Sequence, residues 1–237
     1  MGELAKRLGH LGVAALLVLA FASLGFAQYT MELTSVGDGV SADGVYVSPY
    51  WGTINQDGRT IYTGYLICDD FNTESYVDDP WRADSTNAAD LNGDEKFTAP
   101  SYSDPFNTSI TVTDQQAYDA VAWLANGLLE SSNVTNPTAQ TNYSFAIWDI
   151  FDGEAIDPEG GAASLITQAF TAATGGYEGS NATVYSPSIR SDSQEFLAVS
   201  PVVSTPEASL PATLAVDLLT LAGVIFLMRW RLAGASR

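Results

Sequence analysis

Cysteine, histidine and basic side chains are scarce in this chain. The single cysteine, Cys68, cannot form an intramolecular disulfide. The single histidine, His10, lies in an N-terminal apolar stretch; once that stretch is removed on export, no mechanism needing a His base, a His metal ligand or a Ser-His-Asp triad is left. Lys and Arg number 9 against 28 Asp and Glu, for a formal charge of −19. Between Gln28 and Val203 the only bases are Arg59, Arg82, Lys96 and Arg190. So acidic a body repels nucleic-acid phosphates and anionic lipid headgroups, which argues against nucleic-acid binding and leaves divalent cations, neutral sugars and proteins as compatible partners.

What the chain does have is two apolar ends. Lys6 and Arg7 precede an apolar run from Leu11 to Leu24, and Gly25-Phe26-Ala27 places small residues where a signal peptidase reads, so residues 1–27 are expected to be a cleaved secretory signal. At the other end a Pro/Ser/Thr spacer, 201–209, leads into a second apolar run, Leu210 to Met228, and then a basic tail, 229–237. That order predicts one membrane-spanning helix over 210–228 with its arginines on the cytoplasmic side. Asp217 inside the run opposes the span by about 3 kcal/mol.

The residues Pro206, Glu207 and Ala208, followed by the apolar run and by Arg229 and Arg231, resemble the PEP-CTERM sorting signal of Gram-negative bacteria, with Ala208 standing where a second proline is usual. The resemblance implies processing by an exosortase-type enzyme after signal peptidase has acted. It also implies a destination at the cell envelope or in an exopolysaccharide matrix.

Between the ends, residues 28–200 are long enough for one domain with its own core. Tyr29 to Val36 alternates, Gly44 to Trp51 is rich in aromatic and β-branched residues, and Asp57-Gly58 is a turn that pairs the preceding segment with Arg59 to Asp70, a hairpin with Cys68 at its far end. Residues 72–109 are polar, acidic and aperiodic, and read as an elaborated surface loop with at most one short strand, pinned by Trp81 and Phe97. Three helices follow. The first, capped by Thr113 or Asp114, carries Ala117, Tyr118, Val121, Leu124 and Leu128 at helical steps; the second opens at Asn136-Pro137; the third opens at Asp157-Pro158 and ends at Gly175-Gly176. Strands are expected at 182–186 and 195–200. The predicted architecture is α+β: an antiparallel sheet or open β-barrel of N- and C-terminal strands, an inserted layer of about three helices, and one C-terminal transmembrane helix.

Three constellations bear on chemistry. Leu66-Ile67-Cys68-Asp69-Asp70-Phe71 and Ser144-Phe145-Ala146-Ile147-Trp148-Asp149 resemble the paired motifs of bacterial surface thioester domains, where a cysteine and a glutamine are joined by an internal thioester. Counting back from Trp148 by that family's spacing reaches Ser144, which has no carboxamide; Gln140 lies one helical turn earlier. The resemblance therefore implies either a thioester between Cys68 and Gln140 or a relative of the family with Cys68 simply buried. Asp90, Asn92 and Asp94 occupy positions 1, 3 and 5 of a calcium-type loop, but Glu95 stands at the glycine position and Ser101 where a bidentate glutamate belongs, so weak calcium binding is weighed against an acidic turn and no other cofactor is expected. Finally, Asp69-Asp70 could meet Asp149 and Asp152 as a carboxylate pair able to hydrolyse glycosides, and Tyr50, Trp51 and Trp81 could stack on sugars, against the plainer reading of each as packing. The expected function is that of an exported structural or binding protein of the cell surface without catalysis. A thioester-type covalent adhesin and a carboxylate glycosidase are the alternatives.

Overall fold

A computed structural model describes residues 28–107, 109–153 and 160–200. The expected leader, spacer, sorting box, membrane span and basic tail, with Pro206, Glu207, Ala208, Arg229 and Arg231, lie outside the described residues. Among the described residues no helix is long and apolar enough to cross a membrane.

Six strands close into an antiparallel barrel: β1 (Tyr29–Ser35), β4 (Tyr50–Gln56), β5 (Arg59–Cys68), β10 (Phe196–Val199), β9 (Ala182–Pro187) and β6 (Trp81–Asn87), in that order around the wall. The expected hairpin is β4–β5. Its turn places Asp57 at φ 50° and Gly58 at φ 77°, the left-handed geometry that an Asp-Gly pair adopts most easily. Gly52 sits where any Cβ would stand 2.6 Å from both the Glu32 carbonyl oxygen and Leu66 Cδ1, so β1 and β4 can approach only over a glycine. Met31, Leu33, Ile54, Leu66, Ala83 and Phe196 are buried in this wall. Four short strands, β2 (Ser41–Ala42), β3 (Val45–Tyr46), β7 (Tyr102–Ser103) and β8 (Thr111–Val112), form two ribbons outside the barrel.

Two expectations are corrected. The barrel is closed rather than open, and the segment read as a surface loop with at most one short strand contributes two, the short β7 and β6, a barrel strand that pairs with β1 on one side and β9 on the other. Trp81 and Ala83 face inward and Arg82 and Asp84 outward, so only two apolar side chains announce a strand whose other face meets water. Within the aromatic run from Gly44 to Trp51, Pro49, in cis after Ser48, lies between β3 and β4.

The helices are α1 (Asp114–Leu128), α2 (Pro137–Phe151) and α3 (Ala162–Thr174), which pack on one another while α1 lies on β10 and α2 on β5. Thr113 and Gln116 close a reciprocal capping box at the start of α1, and the Asn136 side chain accepts from Thr138 and Ala139 N–H ahead of Pro137. The third helix begins at Ala162; Asp157 and Pro158, expected to open it, lie outside the described residues. With helices on one side, β9 and β10 are buried on nearly every residue, the pattern of strands covered on both faces.

Candidate functional site

The end of β5, the start of β10 and the inner faces of α1 and α2 converge on Cys68-Asp69-Asp70. All three are buried. Successive residues of an extended strand point to opposite faces, so these neighbours enter different surroundings.

Cys68 faces the α2 side. Its thiol donates to the Asp70 carbonyl at 3.2 Å, and its backbone N–H donates to Ser48 Oγ at 3.0 Å. The Ser48 N–H in turn donates to Ser144 Oγ at 2.9 Å. Two hydrogen bonds through Ser48 thus link the cysteine to the serine that stands at the expected glutamine position. Burial pushes the Cys68 thiol well above its ordinary range, and the negative charges of Asp69 and Asp70 push it the same way; bonds with the Asp70 backbone and the Trp148 indole oppose this by less. A thiol held neutral this way is a poor nucleophile. Gln140 is buried, but its amide donates to the Val134 carbonyl at 2.6 Å and to Asp38 at 3.4 Å. It is turned to the start of its own helix, whereas Ser144, one turn later, meets the cysteine's shell.

Asp69 faces Glu195, directly across the β5–β10 ladder, where the Asp69 N–H donates to the Glu195 carbonyl. Glu195 is the hub of a buried acid knot: Tyr118 Oη donates to Oε1 at 2.7 Å, the Lys96 backbone N–H donates to Oε2 at 2.6 Å, and the Ser186 hydroxyl donates to Oε2 as well. As a carboxylate, Asp69 would find no hydrogen-bond donor for either oxygen. Burial, together with the charge and hydrogen bond of Glu195, raises Asp69 well above the carboxylate range, so it keeps its proton and donates to Glu195. Two buried carboxylates side by side share one charge.

Asp70 is satisfied in a third way. Lys96 Nζ forms an ion pair with Asp70 Oδ2 and also donates to Thr73 Oγ1 and, at 3.3 Å, to the Ser193 carbonyl, using its three protons. The other Asp70 oxygen accepts from Asn72 and Thr73 N–H, both at 3.2 Å. At the end of α2, Asp152 accepts the Phe71 N–H at 3.0 Å, which ties the end of the hairpin to the end of that helix.

The remaining sequence candidates fall elsewhere. Asp90, Asn92 and Asp94 are exposed on a loop that turns inward onto Glu95, whose buried carboxylate accepts from Asn92 and Gly93 N–H, each at 2.9 Å. Among the described residues no group of three or more His, Cys, Asp and Glu is arranged to hold a metal ion. Of the aromatics considered for sugar stacking, Tyr50 and Trp81 are buried in the wall, while Trp51 is partly exposed and meets Tyr65 edge-on at 5.0 Å. Ser48 and Glu195 were not singled out from sequence, and Tyr118 was read only as one of the apolar-face residues of its helix. Lys96 offered a signal, as the only lysine after Lys6.

No family model matches the chain, and no curated protein matches it. Solved structures similar to it include the N-terminal domain of the Streptococcus pyogenes pilus tip adhesin Cpa, at 13% identity, TM-score 0.40, 75% of this chain and 95% of that one. Another is the N-terminal thioester domain of a Clostridium perfringens surface protein, at 11% identity, TM-score 0.40, 73% of this chain and 98% of that one. A cysteine-to-alanine mutant of that domain matches at 12% identity and TM-score 0.39, over 73% of this chain and 99% of that one.

Proposed function

We propose that this chain is an exported binding or structural protein of the cell envelope, delivered by its N-terminal signal and its PEP-CTERM-like tail, whose cysteine site serves packing rather than catalysis or covalent capture. The observation that carries this reading is the Ser144–Ser48–Cys68 relay. A thioester needs a carboxamide beside an activated thiol; here a serine hydroxyl fills the facing position and the thiol is buried, protonated and bonded to a carbonyl. The acidic side chains nearby are likewise consumed by internal donors, which speaks against a carboxylate acid–base pair working on a substrate.

Intact mass and terminal mapping of protein from the native host test the proposal in one measurement. The expected species starts near Gln28, ends near Ser209 and has the full mass of that sequence. A species lighter by one ammonia would restore the covalent adhesin. Recovery with Leu210 to Arg237 attached would replace sorting by a plain membrane anchor.

A further inference from the structure

Beside the cysteine site the segment from Phe71 to Val77 forms a ridge with a cleft on each flank. One cleft, of about 540 Å³, runs between this segment and β3, with Tyr46, Tyr50, Trp148 and Gln194 among its walls. The other, of about 520 Å³, lies toward β6 and includes Asp79, Trp81, Ile189 and Asp192. Glu74, Ser75 and Tyr76 line both. We propose that the two clefts are lobes of one groove for a neutral polysaccharide, with Tyr76 as the aromatic platform between successive sugar sites.

Four features support this occupant. Tyr76 and Tyr46 are 61% and 51% exposed, and both rings line the clefts, Tyr76 on both flanks and Tyr46 on one. Sugar C–H faces pack on such rings, while hydroxyls need acceptors and donors at the rim; Glu74, Asp79, Asp192 and the serines supply them. The charge excludes anionic polymers: three carboxylates face a single base, Arg82, in a chain of net charge −19, so an anionic chain is repelled. A peptide that binds by adding a strand needs a free sheet edge; the closed barrel offers none, and the edge beside the first cleft belongs to β3, which is two residues long.

The groove is also preformed. Ser75 Oγ accepts the Gln194 N–H at 2.9 Å and bonds Ser193 Oγ at 2.6 Å; the Asp78 N–H donates to the Leu33 carbonyl at 2.8 Å, and Gln194 Nε2 donates to the Asp70 carbonyl at 2.7 Å. Tyr76 Oη donates to the Glu74 carboxylate, fixing the ring on the ridge. A wall tied at both ends loses little freedom when a ligand arrives, which favours binding.

The inference rests on the envelope-binding reading above and can fail without it. The full-length chain, in detergent, is titrated by calorimetry with cellohexaose, maltohexaose and chitohexaose, and with hexagalacturonate and oligolysine as charged probes. At least one neutral hexasaccharide should bind, and Tyr76→Ala, at an exposed position, should raise its Kd by about fivefold to tenfold. Trp51→Ala, on the barrel's other exposed aromatic, should leave it unchanged. Binding of none of the neutral probes, preference for either charged probe, or loss of binding in Trp51→Ala alone would overturn the assignment. So would sedimentation showing a dimer that Tyr76→Ala dissolves, since a second copy would then fill the groove. A correctly processed, full-mass protein that binds no sugar would refute the groove and leave the envelope reading standing.

Discussion

The pocket around Cys68 and the knot around Glu195 are built from adjacent residues of one strand, yet they solve the problem of buried polarity in opposite ways. On the α2 side every partner is neutral: a thiol, two hydroxyls, two backbone N–H groups and a carbonyl. On the α1 side two carboxyls, a phenol and a hydroxyl share one negative charge. Burying neutral groups costs little once each is bonded, whereas burying a charge demands several donors aimed at it. The lesson is that the sharp differences lie in protonation. One region should be indifferent to pH and modest in its energetics, the other sensitive and costly to disturb.

The largest effect is expected from Glu195→Ala. It strands the Tyr118 and Ser186 hydroxyls and the Lys96 N–H at a buried position and should lower stability by about 3–5 kcal/mol in chemical denaturation. A loss under 1 kcal/mol would mean that the knot is wet or rearranges freely.

Next comes the pH dependence. Asp69 has a folded pKa raised well above its ordinary 3.8 by burial and by Glu195, so the folded chain holds a proton that the unfolded chain releases. The stabilisation is complete below about 3.8 and is lost as pH rises through the folded pKa, so the melting temperature should fall from mildly acidic to alkaline pH. Glu195, Asp114, Asp119 and Asp152, raised chiefly by burial, act with the same sign. Asp69→Asn carries a permanent donor toward Glu195 and should flatten the decline; a slope parallel to that of the parent chain would show that Asp69 is not the proton's holder.

How much of this was readable beforehand follows from the range of the interactions. Caps act over three residues, so Thr113 with Gln116 and Asn136 with Pro137 announce α1 and α2 where they begin. Asp57-Gly58 likewise fixes the β4–β5 turn. Strand β6 was hidden because its outward face carries Arg82 and Asp84 and its inward face shows only Trp81 and Ala83 as apolar side chains in a narrow barrel. In the site, counting from Trp148 pointed to Ser144, and the structure links that serine to Cys68. The partnership of Asp69 with Glu195 depends on the register of two strands distant in sequence, which no local pattern encodes. Charge alone pointed only to Lys96, whose partner among so many acids could not be chosen without the fold.

The smallest effect isolates the neutral side. Ser144→Ala removes the acceptor of the buried Ser48 N–H without touching any charge, and should cost about 1–3 kcal/mol, or roughly 2–9 °C in melting temperature for a domain of this size. Because no titrating group loses a partner, that decrement should be the same at pH 5 and at pH 8, in contrast to the effect of Asp69→Asn. A decrement that changes with pH would mean that the relay through Ser48 reaches the Cys68 thiol and alters its ionisation, and the two regions would then be one coupled network. Equal decrements keep them separate, with Ser144 acting only as the acceptor of the Ser48 N–H.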